Sequence, residues 1–124
     1  MSFDSKKPTV QLLGRWQPWH DGHTELFKRA VKKTGQVVIM ARDMPWSEED
    51  NPYYYELCFN TIKDALTKEG YQYAVDYIIK KEPNIVNITY GRDVGYAIEQ
   101  ESFDEKTEKI SGKSIRAGIR SNSQ

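Results

Sequence analysis

The chain has 124 residues, enough for one domain that buries roughly two thirds of its chain surface. Lysine and arginine number 18 and aspartate and glutamate 18, so no net charge marks a general binder of nucleic acid or of anionic membranes. Mean hydropathy is −0.76, no run approaches the roughly 18 apolar residues of a membrane span, and residues 1–7 lack the apolar region of a signal peptide, as in a soluble protein. The sole cysteine, Cys58, excludes an internal disulfide and suits a reducing cytoplasm.

Residues 1–7 and 121–124 are polar and are expected to fray. Residues 9–13 read as a short buried strand and 23–33 as an amphipathic helix. The near-continuous apolar run 36–41 reads as a parallel strand covered on both faces, ending at Arg42 and Asp43. Residues 44–52, with two prolines, Trp46 and three acidic residues, form a loop leaving that strand. Helical periodicity covers 53–68, where Cys58 shares an apolar stripe with Tyr55, Phe59, Ile62 and Leu66 and so reads as core rather than nucleophile. Residues 75–79 are strand-like, 80–84 a connector, and 85–90 a β-rich run that stops at Gly91-Arg92-Asp93. A weaker edge strand follows over 96–103, anchored by Ile98 and Phe103, and Ser111 is placed to cap a final helix.

Alternating strands and helices imply an α/β, Rossmann-like three-layer fold with a mainly parallel five-stranded sheet and right-handed crossovers. One domain spans 1–124, since no repeat or long linker divides it. Ligands in such sheets bind at the carboxyl ends of the strands. Three residue clusters, 14–23, 42–43 and 91–93, fall at predicted strand exits.

The first cluster reads Gly14-Arg15-Trp16-Gln17-Pro18-Trp19-His20-Asp21-Gly22-His23 and holds both histidines of the chain. A strand feeding a loop with Gly and His that opens a helix suits a phosphate. The helix N-terminus offers partial positive charge, Gly22 allows close approach, and imidazoles donate hydrogen bonds to a developing negative oxygen. The competing readings are a helix cap and a metal pair. No Cys or carboxylate cluster nearby completes a zinc set.

This stretch resembles the signature of the HxGH nucleotidyltransferase superfamily, which includes cytidylyltransferases, nicotinamide- and pantetheine-type adenylyltransferases and, more remotely, class I tRNA synthetases. Near the other end, Ile110-Ser111-Gly112-Lys113-Ser114-Ile115-Arg116 resembles the second motif of that superfamily. The resemblance implies transfer of a nucleoside monophosphate from a nucleoside triphosphate to a small phosphorylated acceptor, with release of pyrophosphate and with Mg²⁺ bound through the nucleotide phosphates. Carried over by position, His20, His23 and Arg116 are the catalytic residues. Gly14, Arg15, Trp16 and Gly22 shape the nucleotide loop, and Ser111, Lys113 and Ser114 hold phosphates. Gly91, Arg92 and Asp93 line the nucleoside pocket. Lys113 departs from the pattern, standing where the superfamily has Thr. On the bland reading, Lys113, Arg116 and Arg120 are a solvated basic helix face.

Arg42 is assigned to the acceptor phosphate, or else to a pair with Asp43 or Glu48, and Trp46 to stacking on a ring. Tyr53, Tyr54 and Tyr55 read as a packing cluster at a helix start. The phrase Gly-Arg-Trp-Gln-Pro-Trp-His is similar to Gly-Arg-Phe-Gln-Pro-Phe-His of archaeal-type nicotinamide mononucleotide adenylyltransferases. Asn51-Pro52 followed by Glu56 also resembles that group, although Leu57 stands where its Arg is expected. The reading is therefore an adenylyl-type enzyme using ATP. A cytidylyltransferase using CTP and an alcohol phosphate such as glycerol-3-phosphate is the alternative, and a non-catalytic nucleotide-binding regulatory module a third. A nucleic-acid role is disfavoured, the location is cytoplasmic, and the apolar edge strand allows a homo-oligomer.

Overall fold

The computed structural model describes residues 2–89, 91 and 97–99. Their elements are β1 (Val10–Gly14), α1 (Asp21–Thr34), β2 (Val37–Arg42), α2 (Tyr55–Lys68) and β3 (Tyr77–Glu82). The strands form one parallel sheet in the order β1-β2-β3. Its register sets Val10, Val37 and Tyr77 in one row and Leu12, Ile39 and Ile79 in another. These residues alternate with Leu13, Val38, Met40 and Ile78, so one face of the sheet is buried and the other half-covered.

The buried face packs against both helices. Phe27 and Ala30 of α1 and Ile62 and Leu66 of α2 join the strand residues in one core. Two successive right-handed crossovers running the same way across a sheet leave both helices on one side, as here. The described residues thus make two α/β layers, with the carboxyl ends of all three strands at one edge.

The structure corrects several boundaries. α1 begins at Asp21, not His23, because His20 caps it, and it stops at Gly35, whose φ of +88° is the left-handed conformation of a helix stop. β3 begins at Tyr77, not residue 75. The Asp76 carboxylate accepts from the Gln72 N–H at 2.7 Å and Ala74 donates to the Tyr77 carbonyl at 2.7 Å, which turns the chain just before the strand. Residues 80–82, expected as a connector, continue β3 because they lie opposite Met40, Ala41 and Arg42.

Among the described residues the sheet has three strands rather than the five expected. Residues 85–89 are β-rich in sequence yet carry no strand pairing, with Val86 81% and Ile88 59% exposed. Pro83 interrupts the ladder by lacking an N–H, and its carbonyl accepts from the Ile85 N–H at 2.7 Å, which turns the chain tightly. Residues 97–99 carry no strand, and the rest of the expected 96–103 strand lies outside the described residues.

Candidate active site

The turn from β1 into α1 is closed by the two histidines. His20 is the N-cap with extended backbone (φ −139°), and its Nδ1 accepts from the Gly22 N–H at 3.1 Å. His23, one turn on, accepts from the His20 N–H at 3.1 Å through its own Nδ1. This is a capping box made by two imidazoles, in the positions where Ser or Thr and Glu commonly serve. Each Nδ1 is used as an acceptor, so in a neutral ring the proton sits on Nε2, which is then the donor left for a ligand. The cap and the phosphate-site readings are therefore compatible: one ring nitrogen serves each.

Burial keeps the rings neutral. It lowers the His23 imidazole to about 3, with the neighbouring His20 adding to the effect. His20 is also lowered, by burial first, with Asp21 opposing. The apolar surround comes from the two indoles. Trp16 meets His23 edge-on at 4.9 Å between centroids and Trp19 lies 5.4 Å from it. Each indole is buried and anchored by its own N–H, Trp16 to the Met40 carbonyl at 3.0 Å and Trp19 to the Thr24 hydroxyl at 2.9 Å.

Trp16 has a left-handed backbone (φ +55°), and its indole folds back over Gly14. A Cβ at Gly14 would stand 2.9 Å from two ring carbons. Packing alone thus accounts for these two residue types. Gly22 is buried in the first turn of α1, where its N–H meets His20.

A cavity of about 320 Å³ opens at the carboxyl ends of the strands, within the size range of small-molecule sites. Arg15, Arg42 and Lys81 bring positive charge to it, Trp46 and Tyr53 bring rings, and Glu56 a carboxylate. The two histidines are not in its wall; His23 packs on the indole of Trp16, which stands in sequence between the lining residues Arg15 and Gln17. Arg42 donates to Asn84 Oδ1 at 2.8 Å, not to Asp43 or Glu48, and its Nε is buried with no hydrogen-bond partner. Trp46 is 57% exposed and donates to the Pro52 carbonyl at 3.1 Å. Arg15 reaches Asn51 Oδ1 at 3.4 Å.

The structure therefore joins Arg15, Arg42 and Trp46 at one cavity and sets His20 and His23 at the adjoining turn. Gly91 is exposed with open space around it, and Arg92, Asp93, Ser111, Lys113, Ser114 and Arg116 lie outside the described residues. Tyr53, Tyr54 and Tyr55 all border the cavity; Tyr55 also packs against Phe59, and Tyr54 is 69% exposed. Sequence reasoning missed Gln17 and Lys81. Gln17 stands inside the quoted motif, an amide between two tryptophans, and its burial is what marks it. Lys81 falls in the stretch that reads as a connector, and its pairing opposite Ala41 is what brings it to the cavity. Cys58 is core as expected, and burial pushes its thiol up to about 11.

The described residues set the H-x-G-H turn at the first strand exit of a parallel βαβαβ frame, as the resemblance of the motif implies. No family model matches the chain. The chain is 29% identical to a nicotinamide-nucleotide adenylyltransferase of Methanococcus aeolicus over 105 residues, 77% of this chain and 61% of that protein. Proteins of the same name from two strains of Methanococcus maripaludis are 46% identical over 28 residues, 23% of this chain and 16% of each relative. The chain thus spans less than two thirds of the length of the curated relatives it matches. These likenesses support the superfamily resemblance carried by the motifs, on its nicotinamide-nucleotide adenylyltransferase side.

Proposed function

We propose that the chain is an adenylyl-type nucleotidyltransferase that joins AMP from ATP to a small nucleotide monophosphate, with nicotinamide mononucleotide as the acceptor to test first. The carrying observation is the histidine pair, with both Nδ1 atoms engaged by the backbone and both Nε2 atoms left to donate at the start of α1. In this reading an acceptor phosphate oxygen attacks the α-phosphorus of ATP, the bond to the α,β-bridging oxygen breaks, and pyrophosphate leaves. His20 and His23 donate to phosphate oxygens as charge builds, and the positive end of α1 adds to them. Proximity supplies much of the rest.

The cavity suits the acceptor: Arg42 and Lys81 for its phosphate, Trp46 or Tyr53 for its ring, Arg15 between the two ligands. Beyond the described residues, Ser111, Lys113, Ser114 and Arg116 are proposed to hold the outgoing phosphates, and Gly91, Arg92 and Asp93 the nucleoside. The donor set favours phosphate over a directly held cation, since among the described residues no three His, Cys, Asp or Glu side chains cluster. Mg²⁺ is accordingly proposed to arrive on the triphosphate, where it would neutralise charge on the leaving pyrophosphate. Among the described residues no helix is long and apolar enough to cross a membrane. The free thiol of Cys58 fits a cytoplasmic setting.

The test is pyrophosphate release from ATP and Mg²⁺ in the presence of nicotinamide mononucleotide, then of other nucleotide monophosphates, with CTP in parallel. Release that needs both ATP and one acceptor, and that Arg42→Met weakens through the acceptor KM, is the expected result. Silence with every pair would sink the enzymatic reading, and a preference for CTP with glycerol-3-phosphate would move it to the cytidylyl class.

A further inference from the structure

Gln17 is 93% buried yet fully employed. Its Oε1 accepts from the Tyr53 N–H at 2.9 Å and its Nε2 donates to the Tyr53 carbonyl at 3.0 Å. One carboxamide therefore grips both polar groups of a single residue, as a neighbouring strand would, across 36 positions of chain. The same Nε2 lies 3.5 Å from the Cys58 sulfur, in the first turns of α2. Gln17 itself follows Trp16, which packs on His23, and borders the cavity along with Tyr53, so the amide ties the histidine turn to the Tyr53 segment of the wall.

We infer that Gln17 is a positioning residue: its side chain clamps Tyr53 and thereby holds the wall of the cavity at a fixed place relative to the histidines. This inference rests on the proposed acceptor role of the cavity. A phosphate held by Arg42 and Lys81 reacts only if it stands in line with a triphosphate held at the histidine turn, and a displacement of an ångström is costly. In the described residues, the six-residue connection 15–20 joins β1 to α1 and the twelve-residue connection 43–54 joins β2 to α2. The Gln17 carboxamide is a direct polar link between these two connections, beside the longer Arg15 contact to Asn51.

The chemistry allows a test within one side chain. Gln17→Glu keeps the acceptor oxygen; when protonated it also carries an O–H that replaces the Nε2 donor, and when ionised it repels the Tyr53 carbonyl. Hydrogen exchange of the Tyr53 amide is followed by NMR in wild type, Gln17→Met and Gln17→Glu, with Ile39 and Phe27 amides as controls for the fold. Affinities for ATP and for nicotinamide mononucleotide are measured on the same samples. Tyr53 protection falling about tenfold in Gln17→Met, a similar loss of mononucleotide affinity and an ATP affinity within about twofold of wild type are expected. In Gln17→Glu both losses grow as pH rises through the carboxyl titration, while wild type stays flat there.

Unchanged Tyr53 exchange would overturn the clamp, and lost protection with unchanged mononucleotide affinity would reduce it to a merely structural bond. Equal losses for both ligands would also overturn it, because a general loosening is not positioning. If wild type binds ATP but no mononucleotide, the acceptor reading fails and the positioning role with it. The exchange data would still decide whether the Tyr53 clamp exists.

Discussion

The imidazoles of His20 and His23 stack with centroids 3.7 Å apart and planes 20° from parallel. Two cations at that distance would repel, and the backbone N–H groups aimed at each Nδ1 require that atom to keep its lone pair. Protonation therefore breaks the cap as well as charging the pair. The unfolded His23 takes its proton near 6.5 and the folded one only near 3, so between these values the unfolded state binds more protons. The stabilisation is complete above about pH 6.5 and is lost as pH falls through that window. Stability should drop by up to about 1.4 kcal/mol per pH unit there for His23. Urea unfolding at pH 7 and pH 5, compared with His23→Asn, would measure it; an identical slope in the variant would contradict the assignment.

The cap and the proposed transfer role can be separated, because the cap uses Nδ1 and the proposal calls on Nε2. Asparagine places Oδ1 where Nδ1 sits and has nothing at Nε2. His20→Asn should therefore keep stability within about 0.5 kcal/mol while lowering the transfer rate about 10²- to 10³-fold. His20→Ala should cost both. A fully active Asn variant would show that the pair is only a helix cap.

Gly14 is present for the sake of a neighbour's ring. Gly14→Ala sets a methyl 2.9 Å from the Trp16 indole, whose N–H is anchored to Met40 and whose other side meets Trp19. Overpacking of this kind costs about 1–3 kcal/mol. Trp16→Phe in the same background should recover part of the loss, since the smaller ring ends short of Gly14. A double-mutant cycle by denaturant melts would read this as a coupling of at least about 0.5 kcal/mol. Additive effects would mean that the indole and the glycine do not compete for space.

Much of this organisation is legible in the sequence, for local reasons. The runs around Leu12 and Ile39 are apolar enough to be strands in any context, and Gly22 between two histidines marks a helix start. What escaped depends on contacts distant in sequence. Tyr77 rather than Val75 opens β3 because Asp76 folds back on Gln72. Ile85, Val86 and Ile88 have strand composition but follow Pro83, and composition does not say whether an edge is available to pair with. In the site, the reactive residue types stood out, whereas Gln17 did not: a glutamine becomes informative only once its burial and its two bonds to Tyr53 are known.

Cys58 is the sole thiol of the chain, and its reactivity separates a core residue from a nucleophile. It is 4% exposed, on the buried stripe of α2 with Ile62 and Leu66, and burial raises its thiol to about 11. At pH 8 about one part in a thousand is thiolate, so attack on a soluble disulfide reagent should await opening of α2. Labelling of the native protein should proceed at the opening rate, become independent of reagent at high concentration, and slow when ATP and Mg²⁺ are added. Cys58→Ala should lose about 1–2 kcal/mol through the small cavity and leave the transfer rate nearly intact. Cys58 borders the cavity, so rapid labelling of the folded protein would mean that the thiol is reached through it, and an inactive but well-folded Cys58→Ala would assign the thiol a role in the reaction.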